Sequence, residues 1–393
     1  IRYRVSNSVD RPGLNAQSTF NGRDNADPAL AADRIWGGID NDTVWGNNGN
    51  DIIEGNDGAD TVLGGDGNDR ITDSHGDDVL KGGPGNDAID AGPGLDIIMS
   101  GEGDDFSNGG LNGNETFAGE GNDRVLSGDG PDTVFGGGGD DWMEGGNSND
   151  LLQGDSGAPF FDDINAPGHD VMIGDSGEDD YDAEGGDNVM VAGPGIERNH
   201  GVFGFDWVTH ARSIEPADSD MRQIIVDGPN ALKDRFLLVE ALSGWDKDDV
   251  LRGDDEVPSV PNTEVNVEGL SNELDAAGIA RINGLADLLP EGATTFGAGN
   301  IIIGGSGSDE IWGNGADDII DGDKWLNVRL SVVDSAGAEV RSVNSLTELQ
   351  ADIMAGNINP GNVKIVREIL STPGDADIDT AAFSGAMDEY DIS

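Results

Sequence analysis

The stretch Gly64-Gly65-Asp66-Gly67-Asn68-Asp69-Arg70-Ile71-Thr72, repeated in outline by Gly82-Gly83-Pro84-Gly85-Asn86-Asp87-Ala88-Ile89-Asp90, decides how this chain folds. Stepping by nine from Gly37 extends the pattern through thirteen windows covering 37–153, with no net insertion. The sixth position reads Asp42, Asp51, Asp60, Asp69, Asp78, Asp87, Asp96, Asp105, Asn114, Asp123, Asp132, Asp141 and Asp150. The fourth position is Gly except at Asp40, Asn112 and Ser148. The eighth is apolar except at Ser107 and Thr116. Three positions held in phase this long mark a stacked repeat rather than random low complexity.

Each window reads as a six-residue turn followed by a three-residue strand. Glycine supplies the positive φ angles of a tight turn and lets carbonyl oxygens converge. The Asp adds a hard, anionic oxygen of the kind that suits Ca²⁺. In a strand that short, the middle residue points inward because side chains alternate. One nonapeptide cannot bury that residue alone, so neighbours must stack.

The windows beginning at Gly64, Gly82 and Gly136 resemble the RTX calcium-binding nonapeptide, G-G-x-G-x-D-x-U-x. The resemblance implies an all-β-dominated chain built on a right-handed parallel β-roll, with two nonapeptides per turn and several Ca²⁺ ions in rows along both edges. Loops eighteen residues apart would share ions. That groups Asp42, Asp60, Asp78 and Asp96 on one edge, and Asp51, Asp69, Asp87 and Asp105 on the other. Asp123, Asp132, Asp141 and Asp150 continue the array as candidate metal ligands. Two departures are expected to matter. Asn114, with Ser107 and Thr116 nearby, predicts missing or weak ions between 96 and 114 and between 114 and 132. The loop Asp73-Ser74-His75-Gly76-Asp77-Asp78 lacks its first two glycines, so its site should be distorted but retained.

Outside 37–153 the pattern thins. Residues 1–27 read as a lead-in, and the main roll is expected over 28–198 with an insertion at 158–169. Pro28 to Trp36 reads as a degenerate first unit, and Asp179 and Tyr181 resume the frame after the insertion. A small α+β segment is expected over 199–294, with one isolated repeat at 244–252 and a helix over 271–289 stopped by Pro290. Arg222 to Asp227 reads as a strand, and 233–242 as a short helix or strand. A second array at 295–323 carries Asn300, Asp309 and Asp318 in the sixth position, the two Asp being further candidate ligands. It could stand as a separate small roll or add turns to a discontinuous one. The remainder, 324–393, predicts an α+β tail: a hairpin about Ser335-Ala336-Gly337, a helix opened by Ser345-x-x-Glu348 and stopped at Gly356, and the start of another β module near Thr380. Segments such as Gly204 to Thr209 and Leu242 to Trp245 resemble RTX regions of very large secreted bacterial proteins, some of which also carry haem peroxidase-like domains. Nothing in these residues supplies peroxidase chemistry.

The 393 residues carry 78 Asp and Glu against 21 Lys and Arg, a net charge of −57. A field of that size repels nucleic acid and anionic membranes, and it opposes compaction unless cations neutralise it. There is no Cys, so disulfides and thiolate metal sites are excluded. No run approaches the ~20 apolar residues of a membrane span. The chain opens at Ile1 without a signal-like segment, as a piece of a longer protein would. His75, His169, His200 and His210 form no metal-binding motif, no G-K-[ST] follows the glycine loops, and acidic pairs arise by chance at this composition. Trp45, Phe106, Phe135 and Trp142 occupy outward positions. Either an insertion or the 199–295 segment packs over them, or they form an exposed patch.

The expected function is that of an extracellular or cell-surface Ca²⁺-binding structural module. Type I secretion would export it expanded, and folding would follow outside the cell when the ions bind. The alternative is an adhesin or a self-assembling surface-layer component. No enzymatic activity is expected of the chain itself.

Overall fold

The computed structural model describes residues 19–21, 32–155, 168–224, 233–260, 272–371 and 377–382. Most of the lead-in, residues 28–31 of the degenerate unit, 158–167 of the insertion, 225–227 and everything past 382 lie outside the described residues. The chain forms two compact units, Ile1–Gly168 with Arg329–Ile365, and His169–Val328 with Val366–Ser393.

In the first unit, consecutive windows alternate between two parallel sheets. One sheet runs from Thr19–Asn21 through Thr43–Asn48 and Thr61–Asp66 to Leu151–Gln153; the other runs from Arg34–Ile39 through Ile52–Asp57 to Trp142–Asn147. The register is two windows per turn, as in Val44↔Val62 and Ile53↔Ile71. This is a parallel β-roll. Its core is the eighth-position column: Val44, Ile53, Val62, Ile71, Leu80, Ile89 and Ile98 are all 0% exposed. Burying each contributes about 1.5–3 kcal/mol, which a three-residue strand could not secure without neighbours above and below.

Where Ser107 and Thr116 interrupt the column they remain buried, and the Ser107 hydroxyl is 2.5 Å from that of Ser100. The polar defect is thus partly satisfied within the core, so the roll continues through it. The fourth-position exceptions keep the glycine conformation, with φ of 76° at Asp40, 76° at Asn112 and 102° at Ser148. Asp and Asn tolerate that region; Ser148 is the strained one, at about 1–2 kcal/mol.

The outward face of one sheet presents Arg70, Ala88, Phe106, Arg124 and Trp142 in register. Residues 345–363 cover it, not the insertion or the 199–295 segment that the sequence suggested. Arg124 donates from Nε and Nη2 to the Val363 carbonyl at 3.2 and 2.7 Å. Glu144 accepts from Trp142 Nε1 at 2.6 Å, from Ser345 Oγ at 2.7 Å and from the Leu346 backbone at 2.8 Å. The covering segment buries Leu346, Leu349, Ile353 and Val363 and adds polar bonds to long side chains that hydropathy patterning reads as surface charges. The hairpin Lys324–Val333 with Glu339–Val343 forms as expected. Ser345 Oγ then accepts from the Thr347 backbone, and Glu348 from that of Asn344, opening a 3₁₀ turn and the helix Gln350–Met354. On the other sheet Met99 and Phe117 stay exposed, and the Phe117 and Phe135 rings stack at 4.9 Å.

The second unit uses the same construction at irregular spacing. Val171–Ser176, Val189–Val191, Trp207–Thr209, Ala241–Ser243, Ile301–Ile303 and Ile319–Asp321 pair in parallel. Asp218–Asp220, Val250–Arg252, Glu310–Trp312 and Thr380–Ala382 form another parallel sheet. The isolated repeat and the second array therefore stack together. A roll fixes the register of its strands but tolerates long loops between them. One reading is narrowed and one changes. The 233–242 stretch supplies the strand Arg235–Leu237 and the start of Ala241–Ser243, with no helix. The helix expected over 271–289 is only Ala276–Arg281, capped by Asp275. Ile282 turns extended to pair with Arg367, and Gly284 adopts φ 84°. Leu274, Ile279, Ile282, Leu285 and Leu289 are nonetheless all buried, so the apolar spacing identified the buried face but not the helix length.

Candidate metal centres

From Asp51 to Asp132 each sixth-position Asp does two separate things. Its Oδ1 accepts a hydrogen bond from the backbone N–H of the sixth-position residue one turn earlier. Asp60 accepts from Asp42 at 2.7 Å, Asp78 from Asp60 at 2.7 Å, and Asp96 from Asp78 at 2.8 Å. On the opposite edge Asp69 accepts from Asp51 at 2.7 Å, Asp87 from Asp69 at 2.7 Å, and Asp105 from Asp87 at 2.6 Å. The ladder continues as Asp105 to Asp123, Asp123 to Asp141, and Asp132 to Asp150. The two rows expected from the sequence are therefore brought together by direct contacts.

The second oxygen is different. Oδ2 of Asp51, Asp60, Asp69, Asp78, Asp87, Asp96, Asp105, Asp123 and Asp132 is buried without a hydrogen-bond partner. Where the window opens on glycine, as it does for Asp51, Asp60, Asp69 and Asp87, this oxygen points at that glycine. A Cβ added at Gly64 would lie less than 3.0 Å from both Asp69 Oδ2 and the Gly82 carbonyl oxygen, and one at Gly46 equally close to Asp51 Oδ2 and the Gly64 carbonyl. At these two windows glycine leaves open the space on which two oxygens converge. An isolated buried carboxylate is costly, so its charge must be met by a cation or a proton. Burial, reinforced by the neighbouring carboxylates, pushes Asp69 up to about 8 and Asp105 up to about 10; burial pushes Asp87 up to about 7. The donors are all hard oxygens, anionic and carbonyl, a set that fits Ca²⁺ and not a soft or nitrogen-seeking metal.

A family profile of the RTX calcium-binding nonapeptide repeat matches residues 36–71, 74–107, 117–152, 167–190 and 294–324. These are RTX calcium-binding nonapeptide repeats. No curated protein matches the chain. The chain is accordingly a calcium-binding structural repeat module. The RTX match breaks over 108–116, the stretch where the pattern already fails. There Asn114 keeps the ladder, accepting from Asp96 at 3.0 Å, but its Nδ2 donates to the Asn112 carbonyl at 2.9 Å. An amide donor thus stands where other RTX turns offer an anionic acceptor, and it occupies a carbonyl as well. Asn114→Asp is expected to raise the calcium bound by about one or two ions per chain, measured by equilibrium dialysis; unchanged stoichiometry would count against the assignment of this gap.

In the second unit Asp309 and Asp318 sit as the RTX pattern places them. Asp309 Oδ1 accepts from Asp249 at 2.7 Å, and Asp318 Oδ1 from Asn300 at 2.8 Å. The same ladder contains residues that sequence reading passed over. Asp206 accepts from Asn188 at 2.9 Å, Glu240 from Asp206 at 2.8 Å, and Asp379 from Asp309 at 3.0 Å. Their signal was the acid-x-apolar tripeptide, Asp206-Trp207-Val208, Glu240-Ala241-Leu242 and Asp379-Thr380-Ala381, with Gly201 and Gly204 in the repeat's first and fourth places ahead of Asp206 and no glycine ahead of Glu240. Among the described residues no histidine joins a metal-ligating group. His210 is buried against the Ser219 hydroxyl at 2.8 Å, and His75 is exposed beside Asp57.

Proposed function

We propose that this chain folds on Ca²⁺ binding after secretion and serves as a structural module of a larger secreted bacterial protein. The observation that carries this reading is the row of buried carboxylates whose Oδ2 atoms have no hydrogen-bond partner. In the proposal Asp42, Asp51, Asp60, Asp69, Asp78, Asp87, Asp96, Asp105, Asp123, Asp132, Asp141, Asp150, Asp309 and Asp318 hold the ions with the loop carbonyls. Where calcium is scarce, a net charge of −57 keeps the chain expanded, a state suited to export through a narrow channel. Where calcium is in the millimolar range, binding supplies the folding free energy by linkage. Any catalysis, peroxidase-like or otherwise, would belong to other parts of the host protein. Among the described residues no helix is long and apolar enough to cross a membrane.

Exposed Met99 and Phe117, with Phe117 stacked on Phe135, favour a second reading in which one sheet face is a contact surface of an adhesin or surface-layer component. Circular dichroism and sedimentation in EGTA at pH 8, then in millimolar Ca²⁺, separate the possibilities. An expanded chain that becomes a compact monomer supports the structural module. Calcium-dependent oligomers support the surface component. A chain already compact in EGTA sinks calcium-driven folding.

A further inference from the structure

One turn of the roll is chemically unlike the rest. The first position of the thirteen windows is Gly, Ala or Ser at all but one, and that one is Asp73. At Gly46, Gly64 and Gly82 the two oxygens converging on the glycine are an Asp Oδ2 and a backbone carbonyl: Gly64, Gly82 and Ser100 respectively. At Gly55 both are carboxylate oxygens, Asp60 Oδ2 and Asp73 Oδ2. A full negative charge has replaced a neutral carbonyl dipole.

Asp78 completes the group. One carboxylate oxygen from each of Asp60, Asp73 and Asp78 lies within 4.8 Å of the others. In each residue Oδ1 is engaged with a backbone N–H: Asp60 with Asp42 at 2.7 Å, Asp73 with Ser74 at 2.6 Å, and Asp78 with Asp60 at 2.7 Å. In each, Oδ2 is buried and has no hydrogen-bond partner. Asp60 and Asp78 are only 2% and 1% exposed. The loop has not left the stack, because Gly58 donates to the His75 carbonyl at 2.9 Å and Gly76 to the Pro93 carbonyl at 3.2 Å. The unusual residue therefore adds a ligand without dismantling the turn.

We propose that Asp60, Asp73 and Asp78 form a three-carboxylate cation site, distinct from the two-oxygen turns, that takes the first and tightest Ca²⁺ ion of the chain. The inference rests on the calcium reading above. Affinity in oxygen-ligand calcium sites is set largely by the number of charged ligands and the rigidity that holds them. Here the charge count rises while the ladder fixes all three carboxylates. Without an ion three carboxylates repel one another at this loop, and an ion held by all three relieves that repulsion. Filling it first would order the turns on either side and lower the cost of the next ions, because each turn in a roll stabilises its neighbours.

Flow dialysis with radioactive calcium on the full chain tests this. The wild type should show one ion bound at least about tenfold more tightly than the remainder. Asp73→Gly, which restores the repeat pattern and so should still fold in millimolar calcium, should move that ion into the weaker class. Asp73→Asn should do the same while preserving side-chain size. Asp132→Asn, on a remote turn, should leave the tight ion in place. A single uniform class in the wild type, or an Asp73→Gly chain that keeps the tight ion, would overturn this site alone. No calcium binding in the wild type would overturn the calcium reading itself, and this site with it.

Discussion

Lowering the pH from 8 to about 4 in cation-free buffer is expected to compact the chain and raise its β-sheet signal, with no calcium present. Burial pushes Asp51 up to about 6, Asp87 to about 7 and Asp69 to about 8, from an ordinary carboxylate value of 3.8. A folded carboxylate with a raised value holds its proton where the unfolded one has lost it. Its contribution to stability is complete below 3.8 and disappears as pH rises through 6 to 8. Each unit of difference is about 1.4 kcal/mol, and several ladder residues titrate in the same window, so the summed effect matches or exceeds the usual ~5–15 kcal/mol of total stability. A few exposed acids held low by cationic partners, such as Asp218 beside Lys233 and Arg252, act in the opposite direction and are outnumbered.

Calcium and protons then compete for the same oxygens. Because protons already neutralise part of the buried charge at pH 6, less calcium should be needed for folding there than at pH 8. Dichroism and sedimentation across pH, with and without calcium, read both effects. A chain that loses β structure on acidification without calcium would show that the buried carboxylates are not what opposes folding.

The roll and its two rows of Asp were legible in the sequence because one short period encodes three physical demands at once. Gly64 leaves room for two oxygens, Asp69 provides one of them, and Ile71 fills the core. The pattern needed no alignment because the structure repeats what the sequence repeats. What escaped was structure that is not periodic. Asp379 pairs with Asp309 across 70 residues, and Glu240 with Asp206 across 34, spacings that loops of arbitrary length erase. The cover over Trp142 escaped because Glu144 and Arg124 read as surface charges until their partners, Leu346 and Val363, are placed beside them. Asp73 was legible only as a missing glycine; its value as a ligand depends on Asp60 and Asp78 converging with it.

Replacing Asp87 separates its two oxygens, because Asn and Ala remove different things. Asp87→Asn keeps the acceptor for the Asp69 N–H at 2.7 Å and exchanges the buried anionic oxygen for an amide, as Asn114 does naturally. With calcium present it loses a charged ligand, and the calcium midpoint for folding should rise about tenfold. Without calcium the sign reverses. At pH 5 the wild-type carboxyl, pushed up to about 7, is protonated in the fold but already largely ionised in the unfolded chain, so Asp87→Asn should lead by only about 1.5–2 kcal/mol. By pH 7 the wild type has lost its protonation advantage, and Asp87→Asn should be the more stable by about 4 kcal/mol, the equivalent of roughly three units. Asp87→Ala also removes the ladder acceptor and leaves the buried Asp69 N–H unsatisfied, a cost of about 1–3 kcal/mol at every pH. It should therefore be less stable than the Asn variant with and without the ion. Thermal unfolding at pH 5 and pH 7 in cation-free buffer, with a calcium titration at pH 8, reads all three comparisons. If Asn and Ala behave alike throughout, Oδ1 contributes nothing and the ladder is incidental. If Asn weakens the ion-free fold at pH 7, the buried charge is not the obstacle that calcium removes.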